Sequence, residues 1–337
     1  MGLGLGVAVL FAVYRWRNGA FEWSRFVSTF RHVRGGWLSG AVTAILLAYA
    51  GRAVRWSVML RPLKKNPSVS NILKATLIGF TAIVLFGRVG ELVRPYLISV
   101  KERVPLSSQM AAWLLERMFD LLMILLIFGI ALAQAANTNL KPGPHLRIVL
   151  ETGGLLTGIT GAICLAILAA MRHFTKRIEG RLLASIAFLP KVYQQRIAQA
   201  LNAFSGGLES TRQNGFAGML LFWSGVEWTL LVLSFICLFK AFPATARLSA
   251  AEAVIFLGFV SLGSIIQIPG IGGGMQVAAI LVLTELFGYP LEVAAGIALA
   301  VWVVTFVIVV PFGLTLAFQE GLKWGALTHV AEDVSKL

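Results

Sequence analysis

Long apolar runs separated by short basic segments dominate this chain. The runs that approach or exceed 20 residues lie near 37–60, 106–134, 149–171, 217–240 and 291–318. A helix needs about 20 apolar residues to cross the ~30 Å hydrocarbon core of a bilayer. Each run therefore predicts a transmembrane helix, and the shorter apolar stretch near 1–14 is counted as a further span.

Two apolar stretches are too short to cross a bilayer comfortably. Residues 72–86 and 275–288 would form helices only about 21–22 Å long at ~1.5 Å per residue. Each adjoins a glycine-rich turn instead of a basic loop, which predicts re-entrant helical hairpins near 72–101 and 251–288. Irregular backbone at membrane depth is tolerated where it is buried in protein or lines a cavity. The predicted topology puts the two hairpins on opposite sides, as in many transporters.

These elements predict an all-α integral membrane protein, a polytopic helical bundle with two opposed re-entrant hairpins. We expect a single membrane domain over residues 1–337. The composition agrees, since 58% of the residues are hydrophobic and 13% are charged, whereas soluble domains carry about 25% charged residues. Such a chain could not cover its surface with polar groups in water.

The formal net charge of +14 comes from basic residues that cluster between the apolar runs. This pattern is typical of the positive-inside rule and of contact with anionic lipid headgroups, not of nucleic-acid binding. Basic residues place 172–215 in the cytoplasm, where apolar positions at helical spacing predict an amphipathic segment. The protein is then expected in a cytoplasmic (inner) membrane with a cytoplasmic C-terminus. This topology places the basic stretch 15–36 on the external side of the membrane. Its apolar face predicts an amphipathic helix at the membrane interface.

Two clusters of charge interrupt the apolar pattern. They are Arg88, Glu91 and Arg94 in GRVGELVRP, and Glu116, Arg117 and Asp120 in LLERMFDLL. Residues three or four apart share a helical face, and a charge at a transmembrane helix centre costs about 2.5–3.5 kcal/mol. One interpretation is a structural ion-pair network. The other is a headgroup site in which Arg88 and Arg94 bind phosphate, while the carboxylates orient the arginines or carry a proton.

A second glycine-rich turn is a further candidate. It contains Gln267, Pro269, Gly270, Gly272, Gly273, Gly274 and Gln276. Glycine lets backbone approach a ligand closely, and a helix N-terminus near Met275 would favour an anion. The turn would then close the site from the other leaflet, although it could equally be a tight crossing of helices. Glu227 is another carboxylate within an apolar run, either a proton carrier or a structural ion-pair partner.

No enzyme signature accompanies these clusters, so we expect no catalytic activity and no cofactor. The chain has no P-loop, no G-x-S-x-G elbow and no DxD-like pair of the kind that a nucleotide-sugar site needs. Cys164 and Cys237 lie inside apolar runs, and the four histidines are far apart in sequence. Neither set has metal-ligand spacing, so no metal site is expected.

Four motifs resemble the lysylphosphatidylglycerol synthase transmembrane-region family. They are RAVRWSVMLRP (52–62), GRVGELVRPYLIS (87–99), PLSSQMAAWLLERMFDLL (105–122) and PGIGGG (269–274). The resemblance carries functional residues over to Gly90, Glu91, Arg94, Glu116, Arg117, Asp120, Pro269 and Gly270. Phe86 and Gln276 depart from the family's usual proline and glutamate, and we expect no aminoacyl-transferase domain. Lysyl-lipid synthesis is therefore not expected.

The resemblance implies a flippase-type lipid transporter. It would bind or translocate an anionic phospholipid, or a lipid of polyprenyl or hopanoid type. One alternative is a membrane transferase acting on a lipid-linked sugar, and another is a non-catalytic scaffold for a lipid-synthesis enzyme. The expected partners are an anionic membrane lipid and either a second copy of the chain or a separate lipid-synthesis enzyme.

Overall fold

The computed structural model describes residues 21–137, 158–163, 166, 195, 198, 215–264, 267–268 and 272–321. Nearly all of its regular structure is helical. The helices are α1 (Trp23–Ser28), α2 (Gly35–Leu60), α3 (Val69–Phe86), α4 (Val93–Glu102), α5 (Leu106–Asn137), α6 (Phe216–Ala241), α7 (Ala250–Gly263), α8 (Gly274–Leu281), α9 (Leu291–Thr305) and α10 (Val310–Gln319). A 3-10 helix (Gly87–Leu92) joins α3 to α4, a π-helical turn (Val282–Leu286) extends α8, and a 3-10 turn (Val307–Val309) joins α9 to α10.

Within the described residues, four stretches are long and apolar enough to cross a membrane: α2, α3, α6 and the continuous stretch Leu291–Gln319. Helix α5 is longer than any of these helices, with 32 residues and a length of ~48 Å. The protein is therefore a helical membrane protein. The spans predicted near 37–60, 106–134, 217–240 and 291–318 each coincide with these helices.

Other predicted segments lie largely outside the described residues. The span near 1–14 lies wholly outside them. The span near 149–171 is described only at 158–163 and 166, which are helical, and the amphipathic segment 172–215 only at 195, 198 and 215.

Helix α3 is longer than the segment 72–86 from which the first hairpin was predicted. It begins at 69 instead of 72, because the Ser68 hydroxyl caps it by accepting the backbone N–H of Asn71. Its 18 residues extend ~27 Å, close to the bilayer core thickness. Length alone therefore does not identify this segment as re-entrant.

Helix α4 nevertheless folds back along α3 as one arm of a tight helical hairpin. A Cβ atom built at Gly79 would lie 2.6 Å from Cβ of Arg94, and one at Gly90 would overlap the backbone of Ala82 and Ile83. At the open end of the hairpin, opposite the 3-10 helix, Glu102 of α4 lies beside the start of α3. Glycine at 79 and 90 is thus what lets the two arms touch.

The Glu102 carboxylate ties the open end of the hairpin. It accepts hydrogen bonds from Lys64 Nζ at 2.7 Å, Asn71 Nδ2 at 2.9 Å and the Ser68 backbone N–H at 3.2 Å. Burial raises the pKa of this carboxyl, but the hydrogen bonds outweigh burial and hold the pKa below its ordinary value. The stabilisation is therefore complete above the ordinary carboxyl pKa and is lost as pH falls through the depressed folded value.

The second hairpin consists of α7, a short antiparallel ladder and α8. Gln267 pairs with Gly273 and Ile268 with Gly272, a small strand element that the all-α expectation did not include. Gly273 has φ +125°, a conformation that side chains other than glycine rarely adopt. A Cβ at Gly263 would lie 2.7 Å from Cβ of Ala278, so α7 and α8 also cross at glycine.

The two hairpins enter the bundle from opposite ends. Helices α2 and α6 run antiparallel, since the Arg34 N–H at the start of α2 donates to Ala241 O at the end of α6, at 2.9 Å. The first hairpin follows the end of α2, whereas the second follows the end of α6. Their tips meet, because the strand 267–268 contacts the 3-10 helix 87–92.

The amphipathic helix predicted over 15–36 is not continuous in residues 21–36, and residues 15–20 lie outside the described part of the chain. The helix ends at Ser28, and a separate helix begins at Gly35. Thr29 and Phe30 pack against Gly296 of α9, and the Phe30 ring contacts the Phe242 ring at 5.8 Å between centroids. Tertiary contacts with α9 and the α6–α7 loop thus interrupt the helix.

The glycine contact in the first hairpin yields a direct test. Gly90→Ala should lower the stability of the purified protein by about 1–3 kcal/mol or more, because the new methyl group overlaps backbone. Gly129→Ala is the matched control, since a Cβ there meets nothing within 4 Å and alanine favours helix by about 0.5–1 kcal/mol. Thermal unfolding in detergent would measure both. Equal midpoints for the two variants would contradict the tight hairpin.

Candidate functional site

Arg55 of α2 is the centre of a buried charge network. Its side chain is 1% exposed, and its guanidinium contacts carboxylates from two other helices. The distances are 2.8 Å to Glu116 Oε1, 2.8 Å to Asp120 Oδ1 and 3.4 Å to Glu227 Oε2. Arg55 Nη1 also donates to the Ser224 hydroxyl at 2.9 Å. One residue therefore ties α2 to both α5 and α6.

Arg94 is held by the same network. Its guanidinium bonds to both carboxylate oxygens of Glu116, with 3.3 Å between Nη1 and Oε1. It also lies over the Trp56 ring at 4.2 Å from the centroid and near the Phe80 ring at 5.4 Å. Arg94 is 3% exposed and lies behind the wall of the cavity described next. This placement favours the structural interpretation for Arg94 over the phosphate clamp expected from sequence.

A cavity of about 570 Å³ opens beside the network. Its charged lining residues are Arg52, Glu91, Arg117 and Asp120, and most of its remaining wall is apolar side chains from α2, α5, α6 and α7. Both hairpins contribute, with Phe80, Ile83 and Glu91 from the first and Ser264 and Met275 from the second. The cavity therefore combines one charged cluster with an apolar enclosure.

The two arginines in the cavity wall differ in how firmly they are paired. Arg52 Nε lies 2.6 Å from Glu227 Oε1, and its guanidinium lies over the Phe80 ring at 4.7 Å. Arg117 Nη2 lies 3.6 Å from Glu116 Oε2 and 3.7 Å from Asp120 Oδ2, beyond hydrogen-bond distance. Its Nε lacks a hydrogen-bond partner among the described residues, but so does Nε of Arg55, and both atoms are buried. The long distances from Nη2 are therefore what leave Arg117 with a donor available for a ligand.

Glu91 and Glu227 occupy different positions around these arginines. Glu91 lines the cavity and lies close enough to Arg117 to attract it electrostatically. Glu227 is 1% exposed and contacts both Arg52 and Arg55. Of the two interpretations left open for Glu227, this pairing favours the structural one.

The second glycine-rich turn reaches the cavity through its helix. Gly274 begins α8 and Met275 lines the cavity, while the Gln276 side-chain oxygen accepts the Gly273 backbone N–H at 2.7 Å. Gln276 therefore caps α8, a role that needs no negative charge. Gln267 and Gly272 lie in the ladder, whereas Pro269 and Gly270 lie outside the described residues. Arg88 lies in the 3-10 helix, with its side chain outside the description.

The sequence interpretation missed Arg52 and Arg55 as site residues. The basic residues between the apolar runs were expected at the membrane surface, but the structure places Arg52 and Arg55 inside α2, with Arg55 fully buried. A usable signal was present, because two arginines three apart within the apolar run 37–60 share a helical face.

The Arg55 contacts predict a strong and specific destabilisation. Arg55→Met should cost about 3–5 kcal/mol of stability, because it leaves buried carboxylates without their shared partner. The exposed Arg61 at the end of α2 provides a control, and Arg61→Gln should change stability by no more than about 0.5 kcal/mol. Adding Glu227→Gln to Arg55→Met should recover part of the loss. If Arg55→Met had the same thermal unfolding midpoint as Arg61→Gln, the buried network would be refuted.

Comparisons with known proteins agree with this membrane architecture. The family model for the lysylphosphatidylglycerol synthase TM region matches residues 2–313. Glycosyltransferase AglD from Haloferax volcanii is 24% identical over 291 residues, covering 78% of this chain and 45% of that relative. This chain therefore spans less than half the length of that relative. No solved structure gives a significant match. Because the family model covers nearly the whole sequence, the chain belongs to the lysylphosphatidylglycerol synthase transmembrane-region family.

Proposed function

We propose that this protein is a flippase-type lipid transporter whose cavity binds the headgroup of an anionic phospholipid or related lipid. The observation that carries the proposal is the cavity itself, in which a charged cluster adjoins apolar walls. Ligand cavities typically have volumes of about 300–1,000 Å³ with a few placed polar groups. A site that is charged on one part and apolar elsewhere suits an amphiphile better than a soluble metabolite.

Arg117 is the proposed phosphate ligand. Arginine presents a planar fork of donors that matches phosphate oxygens, and Arg117 has the weakest ion-pair contacts of the four arginines in the network. Arg52 lines the same cavity and adds positive charge. Arg55 and Arg94 hold the carboxylates that position both, so they act on the ligand indirectly. Glu91 and Asp120 then orient Arg117.

Re-entrant insertion of both hairpins is part of this proposal. The Phe80 ring of α3 meets the Tyr49 ring of α2 edge to face, at 4.9 Å between ring centroids. From that level the tip at Phe86 lies ~9 Å further, whereas α2 continues ~21 Å to Gly35. The hairpin thus turns inside the bundle. Opposed hairpins that meet within the bundle are a recurring transporter arrangement, and the basic segments favour an inner membrane with the C-terminus in the cytoplasm.

A transferase acting on a lipid-linked sugar is the second candidate. The likeness to a glycosyltransferase favours it, although this chain spans less than half of that relative. Incubating the purified protein with nucleotide sugars and a polyprenyl phosphate, and measuring glycolipid formation, would separate the two. Sugar transfer by this chain would replace transport as its function.

Neutralising Arg117 tests the transport proposal. Phosphatidylglycerol at ~100 times its dissociation constant should stabilise the wild-type protein by about 2.7 kcal/mol. Arg117→Gln should lose most of this gain and most of the transport of labelled phosphatidylglycerol in liposomes. Arg61→Gln removes an exposed arginine far from the cavity wall and should keep both. An Arg117→Gln protein that still gained full stability would exclude this residue as the phosphate ligand.

A further inference from the structure

Glu227 of α6 is a buried carboxylate whose closest partner lines the cavity. Its side chain is 1% exposed, and its Oε1 lies 2.6 Å from Nε of Arg52. Arg52 belongs to the cavity wall, whereas Glu227 is not among the described residues that line it. The guanidinium of Arg52 therefore connects a buried carboxylate with the space proposed for a headgroup.

The second ion-pair contact of Glu227 is longer and is shared with another carboxylate. Glu227 Oε2 lies 3.4 Å from Nη1 of Arg55, and the same Nη1 lies 2.8 Å from Asp120 Oδ1. Nη2 of Arg55 pairs with Glu116 at 2.8 Å. Glu227 thus depends mainly on Arg52 to compensate its charge.

The surroundings of Glu227 contain few other groups that could exchange charge with it. The titratable and charged groups that face it in the described structure are Arg52, Arg55 and Tyr49 from α2 and Glu116 and Asp120 from α5. Helix α7 also packs against α6, but its one charged residue, Glu252, caps the start of that helix.

The described charges of the network and the cavity wall balance in the protein alone. They are four arginines and four carboxylates: Arg52, Arg55, Arg94, Arg117, Glu91, Glu116, Asp120 and Glu227. An anionic headgroup adds a negative charge to this set, and a buried charge without a partner is strongly unfavourable. When Arg52 turns toward the phosphate, or bridges the phosphate and Glu227, one positive charge serves two negative charges. Uptake of a proton removes the excess.

We infer that the cavity binds an anionic headgroup together with one proton, and that Glu227 accepts this proton. The proton comes from water and joins a carboxylate oxygen of Glu227 as Arg52 turns to the phosphate. It returns to water when the lipid leaves and Arg52 pairs with Glu227 again. Glu116 and Asp120 keep their 2.8 Å contacts with Arg55, so Glu227 is the carboxylate that loses its main partner.

The ion pair between Glu227 and Arg52 is therefore structural in the lipid-free protein, and a proton replaces it on binding. This inference rests on the proposed lipid-binding function.

Proton uptake can be counted in the wild-type protein. Calorimetric titration with phosphatidylglycerol, in two buffers of different ionisation enthalpy, should show uptake of about one proton per lipid bound. The phosphodiester stays ionised near neutral pH, so the proton binds to the protein. By linkage, the affinity should fall about tenfold for each unit of rising pH over the range in which the proton is taken up.

The variant Glu227→Gln keeps a side-chain oxygen for Arg52 but carries no charge. Its proton uptake should fall to about zero, and its affinity should no longer change with pH. At high pH it should bind the lipid more tightly than the wild type, which must first gain a proton. A purely structural role would instead weaken binding and leave the proton count unchanged. Glu22→Gln is the control, because the Glu22 side chain is 61% exposed and lies 3.6 Å from Arg25. It should keep the wild-type count and pH dependence.

The outcomes separate the inference from the function on which it rests. Lipid binding by the wild type without proton uptake would overturn the inference and leave lipid binding intact. Uptake that persists in Glu227→Gln would assign the proton to another carboxylate and overturn the role of Glu227. If Glu227→Gln does not fold, Glu91→Gln decides, because lost uptake there would contradict the assignment and retained uptake would support it. Failure of the wild type to bind the lipid at any pH would overturn the proposed function as well.

Discussion

The rest of this structure depends on the burial of Arg55 among three carboxylates from two other helices. A lone charge in such an interior carries a large desolvation cost, and only close partners with good geometry offset it. Glu116 and Asp120 on α5 and Glu227 on α6 supply those partners. Because each carboxylate has other contacts as well, the position of Arg55 fixes how three long helices sit relative to one another.

The network lies at the junction of two apolar cores. One core combines α6, α7, α8 and α9 with the first part of α2. The other combines α3, α4 and the first part of α5 with the last part of α2. Arg52 and Arg55 sit where α2 passes from one core to the other. Charge in place of apolar packing at this junction gives the contact a single geometry, since ion pairs and hydrogen bonds are directional while apolar contacts are not.

The arginines of the network differ in how fully they are paired. Arg55 and Arg94 are almost completely enclosed by carboxylates and aromatic rings, so they are part of the scaffold. Arg117 lines the cavity, and its ion-pair contacts of 3.6 and 3.7 Å are beyond hydrogen-bond distance. The structural and headgroup interpretations of the charged clusters are therefore compatible, because different residues serve each one. Family membership and the amphiphilic cavity together make lipid handling the best-supported function.

Much of this protein was determined by its sequence alone. Apolar runs of bilayer length define the spans, because a helix must keep its backbone hydrogen bonds inside the membrane. The glycine-rich turns predicted both helical hairpins, and the sequence motifs indicated the family. The partners of each charge depended on tertiary structure, because Arg55 and Glu227 are far apart in sequence and meet only when α2 packs against α6. The length of α3, the cap by Gln276 and the choice of Arg117 over Arg94 also follow from packing, since periodicity identifies a helical face but not what that face touches.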